Sequence, residues 1–178
     1  INWKNTAHTG HLLVNMYDTT TAIEVCLLLD REIRLPFDEE EISEELISLA
    51  SSVSSYLLEN GITVGLYSNY TDIMTKKPVT VKDGMGRQHI AQIDRALARA
   101  NQKEHSLNVE ELLSGQVQSH GKKKCYLILS ANYTTEFLEL LMTYQKQGTP
   151  VYAIMPYSAR NLKKIQKTGL MEHRNMIY

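Results

Sequence analysis

Apolar positions along the chain fall into short, unbroken runs separated by longer stretches in which they recur every three or four residues. Thr21 to Asp30 reads T-A-I-E-V-C-L-L-L-D, a run that turns continuously apolar and ends in an acid, the pattern of a central strand covered on both faces. Ile62 to Tyr67, Lys124 to Ser130 and Pro150 to Met155 repeat it. Lys77 to Lys82 alternates with period two and contains Pro78, which predicts an edge strand. Between the strands, Ile42, Leu46, Leu49, Ala50, Val53 and Leu57 keep helical spacing. Asp38 is placed as that helix's N-cap, Glu39 to Glu41 favour its positive end, and Asn60-Gly61 ends it. Ile90, Ile93 and Leu97 predict a helix from Gln88 to about Ala100, and Asn108 to Gln118 a shorter one. Thr134 to Gln147 reads as a helix with Phe137, Leu138, Leu141 and Met142 inward, closed by Gly148. A basic helix is expected over 159–168.

Strands alternating with helices predict an α/β fold: a doubly wound, mostly parallel sheet with helices on both faces and one antiparallel edge strand. The first eighteen residues stand apart from it. His11 to Tyr17 reads as a strand that Asp18-Thr19-Thr20 turns into the next, or as the remnant of an upstream domain; residues 19–178 form the α/β domain.

Composition narrows the class without naming a function. The 178 residues fit one domain of ordinary size, and 43% hydrophobic with 22% charged residues is a globular composition. Nineteen basic against twenty acidic residues give a net charge of -1, which argues against a nucleic-acid binder. Charge is nevertheless uneven. Asp30 to Glu45 holds eight acids and two bases, whereas Arg160 to Arg174 holds five bases and one acid. The chain contains no apolar run of the length that spans a bilayer. It opens on Ile1, and is read as a piece of a longer protein. Cys26 and Cys125 lie in apolar runs and are expected as buried free thiols of a reducing compartment, where the Asn-x-Thr sequons at Asn69 and Asn132 would carry no sugar.

Motifs of catalysis and cofactor binding are mostly missing. Gly84-Met85-Gly86 lacks the third glycine of a dinucleotide fingerprint and follows an edge strand. Gly115 to Lys123 has one residue too many for a P-loop and precedes a strand. Ser68, Ser130 and Ser158 sit at strand ends without the glycines of a nucleophile elbow. The six histidines form no cluster at metal spacing.

Two stretches carry a family resemblance. Ile1, Trp3, Lys4, Ala7, Gly10, Leu12 and Val14 match the opening signature of the bacterial domain-of-unknown-function family fifty-eight, with His8 where that family has Arg. Ile47 through Gly61 to Asn69 is similar to the helix and strand that follow the family's first buried strand. The resemblance implies a von Willebrand factor A-like domain that grips other proteins, no established catalytic activity, upstream transmembrane helices and a MoxR-type AAA ATPase as partner. A-domains of this kind often hold magnesium through Asp-x-Ser-x-Ser, a Thr and a further Asp. Here Asp30-Arg31-Glu32-Ile33-Arg34 keeps only the first ligand, no Thr stands near Gly86-Arg87, and Ser130-Ala131-Asn132 occupies the last position.

The expectation is therefore a non-enzymatic protein–protein interaction domain with a degenerate metal site, no cofactor and no nucleic-acid partner. It would be cytoplasmic, in a protein anchored at the cell membrane. Its contact surface is expected at the carboxyl edge of the sheet, from Asp30, Arg31, Glu32, Arg34, Tyr70, Asn132, Tyr133 and Tyr157. The tyrosines and arginines supply contact area and bidentate donors. The alternative is a ligand- or nucleotide-binding enzyme domain using the same edge, where α/β sheets place their sites.

Overall fold

In the computed structural model, which describes residues 23–33, 39–105 and 107–156, the run Val25 to Asp30 is at most 2% exposed. A strand with no exposed side has neighbours on both edges and helices on both faces. The run belongs to β1 (Glu24–Ile33), the middle of a six-stranded sheet. The other elements follow as α1 (Glu39–Glu59), β2 (Thr63–Asp72), β3 (Pro78–Gly84), α2 (Arg87–Leu97), β4 (Ala100–His105), α3 (Val109–His120), β5 (Cys125–Ala131), α4 (Thr135–Lys146) and β6 (Val151–Ile154). Strand order is β3-β2-β1-β5-β6, with β2, β1, β5 and β6 mutually parallel and β3 antiparallel to β2.

Local chemistry sets the helix ends. After α1, the N–H of Ile62 returns to the Leu57 carbonyl at 3.0 Å and that of Gly61 to Leu58 at 3.1 Å, with Gly61 at φ 74. That is a Schellman closure, which needs a residue free to adopt positive φ. Asn108 and Glu111 form a reciprocal capping box on α3, and the Thr134 hydroxyl accepts the Phe137 N–H on α4. Asp38, residues 1–18, the helix expected over 159–168 and Ser158 lie outside the described residues.

The two helical layers separate by strand parity. Gln116 of α3 meets Cys26 and, through its carbonyl, the Tyr126 hydroxyl, so α3 covers the face that also carries Asp30. On α1, Ser43 bonds Tyr70, whose side chain points to the opposite face from that of Asn69.

One expectation is corrected. Two antiparallel strands flank β2, where a single edge strand was expected. β1 pairs with β2 only as far as Leu29↔Ser68, and beyond it β4 takes the vacated side of β2, with Thr71↔Asn101 and Asp72↔Ala100. β4 reads A-N-Q-K-E-H, so no apolar alternation marks it. It is held by backbone pairing, and that same pairing carries β2 on to Asp72.

The Gly84-Met85-Gly86 turn has a packing explanation. A Cβ on Gly84 would lie 2.4 Å from Nδ1 of His89, whose buried ring donates from Nε2 to the Val64 carbonyl at 2.8 Å. Both cysteines are free thiols. Burial pushes Cys26 up to about 12 and Cys125 to about 11.

Candidate functional site

The register aligns one row across the carboxyl ends of the three central strands. Leu29 stands opposite Ser68 on β2 and Leu129 on β5, so the next row is Asn69, Asp30 and Ser130. All three are 0% exposed. Strand order reverses between β1 and β5, the place where open α/β sheets open a crevice.

Within the row every polar atom is paired. The Asp30 Oδ1 accepts from Asn69 Nδ2 at 2.8 Å and from the Glu32 N–H at 3.0 Å, and its Oδ2 accepts from the Ser130 hydroxyl at 2.6 Å. Asn69 turns its carbonyl oxygen to the Arg31 N–H at 2.7 Å, and Ser130 Oγ accepts the Asn132 N–H at 2.9 Å. Ser68 adds a third bridge, donating to the Leu29 carbonyl at 2.9 Å and accepting the Tyr70 N–H at 3.0 Å. Three side chains thus replace the ladder bonds that are lost where the strands diverge.

Desolvation lifts the Asp30 carboxyl to about 6, against the pull of hydrogen bonds from Ser130, Glu32 and Asn69, with a further push from the Glu32 charge. The three hydrogen-bond donors to this buried acid are neutral.

Around it lies the rest of the predicted edge. Arg31 and Glu32 are half-buried, and Asn132 Nδ2 reaches Glu32 Oε2 at 3.3 Å. The Asn132 carbonyl oxygen accepts from both the N–H and the hydroxyl of Thr134, which orders the start of α4. Tyr70 is 0% exposed and its hydroxyl meets Ser43 Oγ at 2.8 Å. Burial, only partly relieved by Ser43, pushes Tyr70 up to about 12. Tyr133 is buried too, its hydroxyl donating to the Pro156 carbonyl. Both rings therefore close the end of the sheet and are not offered as surface area. Arg34 and Tyr157 lie outside the described residues.

Asn69, Ser130 and Ser68 were not among the predicted contact residues. The signal for them lies in strand register: once Asp30 is put at the end of the central strand, the residues opposite it are fixed by counting. The sequon residue Asn69 is fully engaged inside the sheet, and Asn132 is buried at 5%.

The residues present do not fit the magnesium ion that the resemblance implies. A hard cation takes oxygen lone pairs, and those of Asp30 face two N–H groups and one O–H. Glu32, whose charge acts on Asp30, accepts from the Asn132 amide. Among the described residues no group of three or more His, Cys, Asp or Glu side chains is arranged to hold a metal. Among the described residues Ser130 donates straight to Asp30 with no histidine between them, while His89 and His120 bond backbone carbonyls elsewhere. A cleft of about 470 Å³, lined by Lys122, Gln145, Thr149 and Tyr152 among others, opens at the opposite, amino edge. Among the described residues no helix is long and apolar enough to cross a membrane.

The chain is similar to several solved structures. The pilus adhesin SpaC from Lactobacillus rhamnosus GG, in its open conformation, matches over 65% of this chain and 15% of its own, with 12% identity and a TM-score of 0.45. Proximal thread matrix protein 1 from the mussel byssus matches over 84% of this chain and 47% of its own, with 10% identity and a TM-score of 0.49. The chain spans less than half the length of either. No curated protein matches it. The model of one family, described as protein of unknown function DUF58, matches residues 1–171, and the chain belongs to that family.

Proposed function

We propose that this chain is a von Willebrand factor A-like, non-enzymatic protein–protein interaction domain with a degenerate metal site. In this reading it is the cytoplasmic part of a membrane-anchored bacterial protein and works with a MoxR-type AAA ATPase. The observation that carries the reading is the closed hydrogen-bonding of Asp30. Its three donors come from its own sheet, so the acid serves to hold strand ends together and neither a cation nor a substrate is needed to complete it. The strand order, with an antiparallel strand beyond β2 and a reversal at β1, agrees with an A-like sheet. The half-buried Arg31 and Glu32 beside the reversal supply opposite charges for a partner's complementary groups.

Titration calorimetry with the cognate ATPase tests this reading. Binding is expected to be the same with and without EDTA and to weaken in Arg31→Ala and Glu32→Ala. Loss of binding in EDTA would restore a working metal site. Full binding by both variants would move the interface away from this edge.

A further inference from the structure

At the far end of β2 the chain turns back into β3 through Ile73, Met74, Thr75, Lys76 and Lys77. Met74 is 76% exposed and Ile73 49%, two large apolar side chains exposed side by side on one turn. A hairpin tip ordinarily leaves amide groups to water. Here five consecutive N–H groups are taken up inside the protein. Asp72 N–H donates to the Lys77 carbonyl at 2.8 Å, Ile73 N–H to the Arg99 carbonyl at 2.9 Å, and Lys76 N–H to the Asp72 carbonyl at 2.9 Å. Met74 and Thr75 N–H both donate to Asp72 Oδ1, at 2.7 and 3.0 Å. The remaining oxygen of Asp72 accepts from Arg99 Nε at 2.9 Å, so the acid at the base of the turn is neutralised by the residue just before β4. Lys76, at φ 56, then lifts the chain away from the tip.

A backbone with its donors already satisfied enters a medium poor in water without the several kcal/mol that each open group costs there. Charge points the same way. Lys76, Lys77, Arg99 and Lys103 are all exposed behind the two apolar residues, against Asp72 and Glu104 over residues 72–77 and 99–105. Long cationic side chains set just behind an apolar tip extend to a charged interface while the tip is buried. Two side chains are too small an area for a stable protein interface, which buries roughly 800 Å² on each partner. They suffice as a wedge between lipid headgroups.

We propose that the β2–β3 turn is a membrane-contact tip, placing Ile73 and Met74 among the headgroups of an anionic lipid surface while Lys76, Lys77 and Lys103 meet lipid phosphates. This stands apart from the proposed partner edge, because it concerns the chain alone with lipid.

Co-sedimentation with vesicles tests it. The chain is expected to pellet with vesicles of equal parts phosphatidylglycerol and phosphatidylcholine, and to remain soluble with phosphatidylcholine alone. Ile73→Ser/Met74→Ser, whose changes are on the surface and whose fold is checked by circular dichroism, is expected to weaken the partition about tenfold or more. Lys76→Gln and Lys77→Gln are each expected to weaken it about fivefold. Absence of binding to the anionic vesicles at low salt would overturn the proposal. So would undiminished binding by the serine variant, which would assign adhesion to another basic stretch. Equal binding to both vesicle types would remove the anionic component. Binding of the tip to poly-glutamate in place of vesicles would make it a protein-docking site and overturn the lipid assignment.

Discussion

Asp30 is a buried acid whose hydrogen-bond donors are neutral, and that combination has a measurable consequence. Its carboxyl titrates near 6 in the folded chain and near 3.9 when unfolded, so the native state holds the extra proton between those values. Stability from this group is therefore greatest at low pH, falls as pH rises from about 4 to 6, and stays reduced above that. The full effect is of order 3 kcal/mol. Asp30→Asn keeps the shape and removes the charge, with Ser130 free to turn its hydroxyl. It is expected to match the parent near pH 4 and to exceed it at pH 7. Urea unfolding across that range reads the difference, and parallel curves would show that Asp30 ionises normally. Ser130→Ala is expected to do the reverse: it removes the donor to Oδ2 and leaves the Asn132 N–H open. The cost at neutral pH is roughly 1–3 kcal/mol.

At the scale of elements, the strands and helices with a buried stripe were legible in the sequence because burial wrote their period into it. β1, β2, β5 and β6 show as apolar runs, and α1 and α4 as helical spacing with recognisable ends. β4 left no such trace, since its place is set by β1 leaving β2. The candidate site was legible at Asp30 with its sequence neighbours and at Asn132, which reaches Glu32. Asn69 and Ser130 join it through pairing between distant strands, and Tyr70 and Tyr133 turned inward because the ends of the sheet need covering. The Gly84-Met85-Gly86 turn shows the same point with a test attached. Gly84 is required by the ring of His89, not by a phosphate. Gly84→Ala is expected to cost roughly 1–3 kcal/mol through overpacking. In a His89→Ala background the same change is expected to cost little, a coupling that a double-mutant cycle measures. Equal costs in both backgrounds would mean that the ring is not the obstacle.

Across the whole molecule, the two ends of the sheet are held by different physics. The carboxyl end is held by neutral hydrogen bonds around one acid. Toward the amino end, Lys124, only 5% exposed, bonds Asp83 on β3 and lies 3.5 Å from Glu24 on β1. Gly65 makes the passage: a Cβ there would lie 2.4 Å from Asp83 Oδ1. One ammonium thus ties the antiparallel edge to the centre across a strand that has no side chain in the way. Burial works against the charged form of Lys124, and the hydrogen bond and charge of Asp83, with Glu24 behind, outweigh it and raise its pKa. The two partners differ in their access to water, the Asp83 side chain being 30% exposed and that of Lys124 6%. Removing the lysine lets Asp83 hydrate; removing the aspartate strands a buried cation with one longer contact. Asp83→Asn is therefore expected to destabilise by roughly 2 kcal/mol, and Lys124→Met, which keeps the apolar stem, by less than about 1 kcal/mol. Urea unfolding at neutral pH orders the two. If Lys124→Met is the more costly, the pair stabilises the fold by attraction, and the asymmetry in solvation does not govern it.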